Sequence, residues 1–171
     1  GKIGLLQAAK ALQDEILNPQ MSFDEDTNLL SAETKLAKNA KKVALMVLGT
    51  AAQKYMMALS EQQEVLINCA DIIMDAYQME SAILRAKKIA EKKGEEAAGC
   101  FIDMASVFCN DAIQRIESKA KNTLTAIAEG DEGRTLLVAL KRFTKNNSPV
   151  NTIAARQRIA DVLIGANAYT F

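Results

Sequence analysis

Histidine is absent from the 171 residues. With it go the Ser-His-Asp and Cys-His nucleophile pairs, the His-Glu-x-x-His zinc helix and the Glu-x-x-His signature of di-iron bundles. Each needs an imidazole to move a proton or hold a metal. Acid–base work would fall to carboxylates, lysine, tyrosine or cysteine. Proline occurs only at Pro19 and Pro149 and glycine eight times, so little interrupts a helix. A charge excess of one sign is also lacking: 21 Lys and Arg balance 21 Asp and Glu. The chain's overall field therefore captures neither nucleic acid nor anionic lipid, and no nucleic-acid partner is expected. No uninterrupted apolar run approaches the about 18 residues of a membrane span, and no signal or lipidation motif is visible.

Three cysteines, Cys69, Cys100 and Cys109, form an odd set at no zinc-finger spacing. Their apolar neighbours mark them as buried structural thiols, and reduced thiols fit a cytoplasmic setting. The first residue is Gly1, not methionine, as expected of a processed or excised piece.

The residues that are present read as helix. Leu36, Ala40, Val43, Val47, Ala51, Tyr55 and Ala58 recur every three or four residues, which places them on one helical stripe. A second stripe runs Val65, Cys69, Ile72, Ala76, Met79, Ile83, Ala86, Ala90, and Leu66, Ile73, Tyr77 and Leu84 widen its apolar face. A third runs Phe101, Ala105, Phe108, Ala112, Ile116, Ala120, Leu124, Ile127 and ends at Gly130. Ser60-Glu61-Gln62-Gln63 reads as a capping box between the first two, and Gly94 as the stop between the second and third.

Shorter helices flank these: Leu5 to Leu17, closed by Asn18-Pro19; Arg134 to Thr144, after a Gly130–Gly133 turn; and Thr152 to Ala166, capped by Asn151. Residues 18–28 form a polar linker after a first helix within 1–17, with the bundle and C-terminal helices in 29–171. The expected fold is all-α: one domain, an antiparallel bundle of three long helices of roughly 30 residues each with shorter flanking helices.

Candidate sites are few, and each has a structural reading. Lys35, Lys38, Lys41 and Lys42 form a basic cluster that a phosphate could use, but they lie opposite the apolar stripe, where solvated lysines belong. Lys87, Lys88, Lys92 and Lys93 complement the negative end of their helix. Asp71 and Asp75, one turn apart, could share a proton or a cation; without a second carboxylate pair they read as solvent-facing acids. Asp103 and Asp111 sit among apolar residues and need partners, with Arg85 or Arg115 as candidates. Met46, Met56, Met57, Met74, Met79 and Met104 could line an adaptable groove for a partner, or fill the core. No catalytic, cofactor-binding or metal-ligating residue is assigned.

Residue strings go further than spacing. Ala40-Lys41-Lys42-Val43-Ala44-Leu45-Met46 with Gly49-Thr50-Ala51-Ala52-Gln53-Lys54-Tyr55 resembles bacterial acyl-CoA dehydrogenases of the very-long-chain type. So do Glu61-Gln62-Gln63-Glu64, Ala70-Asp71-Ile72, Ala76-Tyr77, Glu80-Ser81-Ala82-Ile83-Leu84-Arg85-Ala86, and the tail Pro149-Val150-Asn151-Thr152-Ile153-Ala154 with Arg158-Ile159-Ala160-Asp161.

The resemblance corresponds to the extra C-terminal helical domain of such enzymes and implies a larger protein. In that family a glutamate removes the α-proton of an acyl-CoA while the β-hydride passes to flavin N5. The base and the FAD-contacting domains are expected upstream of these residues, so FAD is expected in the parent enzyme and none in this segment. The implied partners are the N-terminal catalytic domains of the same chain and a second copy in a homo-oligomer.

The apolar edge Ile3, Leu5, Leu6, Ile16 reads as a docking surface, and membrane-surface association is expected to be weak. An excised domain should expose a broad apolar patch. The alternative reading is a stand-alone helical module that binds a protein partner through a Met-rich groove.

Overall fold

The computed structural model describes residues 5–18 and 28–169. Among these, every regular element is helical: α1 (Leu5–Leu17), α2 (Ser31–Tyr55), a 3-10 turn (Met56–Glu61), α3 (Gln63–Lys93), α4 (Glu95–Ile127), α5 (Gly130–Thr144) and α6 (Thr152–Ala166). The linker residues 19–27 lie outside the described residues, as does Ile3 of the expected apolar edge; so do the side chains of Leu5 and Leu6.

The three long helices form the core. Lys41 meets Glu80 and Lys87 meets Thr34, so α2 and α3 run antiparallel. Asp75 meets Arg115 and Asp71 meets Lys119, so α3 and α4 are antiparallel too. Glu33 meets Ser106 and Lys54 meets the Ala126 carbonyl, which makes α2 and α4 parallel. The stripes named above converge between them. Ala40, Val43, Val47 and Ala51 of α2, Ile72 and Met79 of α3, and Cys109, Ala112, Ile116 and Ala120 of α4 are wholly buried. Alanine at so many of these sites leaves no long side chain to hold the backbones apart. Helix α5 closes one side with Leu136, Ala139, Leu140 and Phe143, and α1 adds Leu12. Helix α6 packs on α4.

By length and composition alone, Ser31–Glu61 could cross a membrane. Its Val43, Met46, Val47 and Ala51 are buried in the core, but only 22% of its most apolar stretch is buried.

Two boundaries differ from expectation. Ser60 and Gln63 make no capping box: Ser60 lies inside the 3-10 turn, Gln62 is the residue before α3, and no side chain caps that end. The chain breaks earlier, at Met56, whose φ of 49° ends α2 before Ala58. Gly130–Gly133 is not a turn ahead of α5 but its first turn. Gly133 packs there so closely that a Cβ would sit 3.0 Å from the Ala128 carbonyl oxygen. The other ends are as read. Gly94, at φ 88°, is the single residue separating α3 from α4. The Asn151 side chain accepts a hydrogen bond from the Ala154 amide at 3.1 Å, capping α6.

Candidate functional site

The titratable groups singled out in the sequence are mostly committed to holding helices together. Asp75 is not a solvent-facing acid. It is buried on the α4 side of α3, where Arg115 grips it with both ends of the guanidinium fork at 2.6 and 3.2 Å. That hydrogen bonding holds the Arg115 guanidinium above its ordinary pKa. Asp71, one turn away, pairs with Lys119 and is only partly exposed. The two carboxylates therefore face two cations and share neither a proton nor a metal ion.

Asp103 and Asp111 do take arginine partners, but from α6. Arg158 binds Asp103 through two nitrogens at 2.6 and 2.8 Å, and Arg156 reaches Asp111 at 2.6 Å. Arg115 belongs to Asp75 instead, and Arg85 is exposed on α3. About two turns of α4 separate Asp103 and Asp111, but nothing in a single sequence signals that the tail folds back across them.

The basic cluster is split. Lys35 and Lys38 are exposed, Lys41 pairs with Glu80, and Lys42 binds Glu15 at 2.6 Å while lying 5.5 Å above the Phe143 ring. Lys42 thus pins α1 to the bundle rather than offering a charge to a ligand. Cys69 and Cys109 are buried and Cys100 is partly so. Burial raises all three thiols, Cys109 to about 12 with Glu33 adding repulsion, so none is a nucleophile near neutral pH. Among the described residues no group of three His, Cys, Asp or Glu side chains could hold a metal ion.

Among the described residues, two shallow hollows stand out. One, about 470 Å³, is lined by Thr50, Gln53, Lys54, Ile127, Glu129 and Glu132; the other, about 440 Å³, by Gly99, Cys100, Ile102, Asp103, Arg158 and Val162. Neither suits a flavin. Two carboxylates in the first would repel a pyrophosphate, and in the second the one cation is already held by Asp103. No chemical step is derived at either.

The methionines divide rather than gather. Met46 and Met79 are core, Met104 is half-buried, Met56 and Met57 are exposed on the 3-10 turn and Met74 on α3, and none of them lines either hollow. What the surface does offer is apolar residues left in water. Helix α3 exposes Ile67, Ile73, Met74, Tyr77 and Leu84, and α6 exposes Ile153, Val162 and Ile164. Tyr77, Leu84 and Ile73 were expected to widen the core face; they lie beyond the reach of α2 and α4. The overlooked signal was a second stripe on the opposite side of the same helix.

Comparison with known proteins matches these features to one family. Residues 39–142 match the family model described as acyl-CoA dehydrogenase, C-terminal domain. A probable acyl-CoA dehydrogenase of Bacillus subtilis is 37% identical over 170 residues, 99% of this chain and 28% of that protein. The crystal structure of an acyl-CoA dehydrogenase complexed with FAD from Bacillus anthracis superposes with a TM-score of 0.92 at 38% identity. The match covers all of this chain and 28% of that one. The chain thus spans little more than a quarter of the relatives it matches, and it belongs to the acyl-CoA dehydrogenase C-terminal domain family.

Proposed function

We propose that these residues form the C-terminal domain of a flavin-dependent acyl-CoA dehydrogenase, a cytoplasmic enzyme of fatty acid metabolism that converts a fatty acyl-CoA to the trans-2-enoyl-CoA. The domain spans 1–171 and does no chemistry of its own. Its work is scaffolding: it rests against the catalytic domains supplied by the remainder of the protein and contributes to a homo-oligomer.

The observation that carries this reading is the end-to-end match of the chain to a quarter of an FAD-containing relative. The committed side chains support the scaffolding role. Carboxylates and cations that might act on a substrate instead tie α1 to α2, α2 to α3, α3 to α4 and α4 to α6. The exposed apolar residues of α6 suit contact with the remainder of the protein.

The test is an anaerobic titration of the full-length protein with a saturated acyl-CoA. The flavin's visible absorption should bleach as hydride is transferred, while the 171-residue chain alone should give no signal. A full-length protein without flavin, or one whose flavin ignores every acyl-CoA tried, would overturn the proposal.

A further inference from the structure

Helices α5 and α6 are each 15 residues long, yet they are held in different ways. Helix α5 buries six residues, and Leu136, Leu140 and Phe143 among them join the core of the bundle. Helix α6 buries one, Ala155. Ile159 and Leu163 follow it at steps of four and complete the inward face, each only half-buried. On the α4 side Val107 is buried, and like Ala155 it stands outside the bundle core. The contact between α4 and α6 is therefore a small apolar seam of its own, and the core is closed without it. The seam is not filled along its length. The hollow of about 440 Å³ lies within it, between Gly99, Ile102 and Asp103 of α4 and Arg158 and Val162 of α6.

Charge supplies the hold that packing does not. Asp103 and Asp111 lie about two turns apart on α4, with Val107 midway, and Arg158 and Arg156 reach them from α6 at 2.6 Å each. The two pairs bracket the seam. Their arginine side chains are 59% and 51% exposed, so water and dissolved salt reach both. Residues 145–151, without regular structure, join α6 to α5, and Asn151 at their end caps α6. The helix thus carries its own N-terminal cap and does not draw it from the bundle.

We infer that α6 is an arm latched to α4 by charge: it leaves α4 as one helix, turning about residues 145–151, while the bundle stays folded. Opening uncovers Val107 and Ala155 rather than a core, so it occurs far more often than global unfolding, and the Asp103–Arg158 and Asp111–Arg156 pairs set its frequency. The inference does not rest on flavin or acyl-CoA chemistry.

The test is hydrogen exchange read by mass spectrometry on the longest natural form of the protein, comparing peptides from α6 with peptides from α4. Amides from Gln157 to Ile164 should exchange at one shared rate, about a hundredfold faster than those from Ala105 to Ile116. Raising the salt from about 0.01 M to about 1 M shortens the screening length from about 30 Å to about 3 Å. It should speed exchange in α6 about tenfold and leave α4 unchanged. At low salt Arg158→Asp or Asp103→Arg alone should speed α6 by a similar factor. The double exchange Arg158→Asp with Asp103→Arg should slow it again, which a fold lost to mutation would not do. Three results would overturn the inference: α6 exchanging in step with α4, rates graded along α6 as in fraying from its end, or an α6 indifferent to salt and to these exchanges. Acyl-CoA bleaching that persists while α6 stays closed would remove this inference alone.

Discussion

Arg115 and Arg158 make the same bidentate contact with an aspartate of a neighbouring helix, yet their surroundings differ. Asp75 is 12% exposed at its side chain, with little water to replace a lost arginine, whereas Asp103 is 19% exposed and its partner Arg158 is more open than Arg115. Arg115→Ala should therefore lower unfolding stability by about 2 kcal/mol, since it strands a nearly buried carboxylate. Arg158→Ala should lower it by visibly less; urea unfolding of the two variants checks the order.

Cys109 makes a second prediction. Its thiol is pushed up to about 12, above the 9.0 of an unperturbed cysteine, because the core excludes the water a thiolate needs. Below pH 9 the thiol is neutral whether the chain is folded or not, and its contribution is complete. As pH rises from 9 towards 12 the unfolded chain releases a proton the folded chain keeps, so stability is lost by up to about 1.4 kcal/mol per pH unit from this group. Urea midpoints should fall between pH 8.5 and 10.5, and fall less steeply in Cys109→Ala.

Among the elements, the break between α2 and α3 holds a conformation that its residue does not favour. Met56 sits at φ 49° and ψ −119°, where a side chain crowds the backbone and glycine is at ease. Its side chain is 75% exposed and contributes little packing. Met56→Gly should therefore raise thermal stability by about 1 kcal/mol, against the usual cost of a new glycine. A loss of stability would mean that the turn is not strained.

The same region shows what was legible in the sequence. Long stripes at helical spacing dictated α2, α3 and α4, since a buried helix face must repeat every three to four residues and nothing else in the chain imitates that. Gly94 and Asn151 act locally, through a backbone angle and one hydrogen bond, and were readable for that reason. Ser60 was misread because a capping box is also a local pattern, but the left-handed turn at Met56, set by how α2 and α3 pack, had already fixed where the chain reverses. The Asp103–Arg158 and Asp111–Arg156 pairs span 55 and 45 positions and depend on where α6 lands, which no local pattern encodes.

For the whole molecule, the stripe opposite the core of α3 and the apolar residues of α6 are surfaces a lone domain of this size has no reason to keep in water. The core is complete without them. Both make sense if these residues are one part of a larger flavoenzyme that meets its own remainder and a second copy. The direct test uses an antibody raised against the chain to draw its antigen from native cells, followed by intact mass and visible spectrum. The account predicts a yellow polypeptide several times heavier than 18.6 kDa. A colourless species near 18.6 kDa would contradict it.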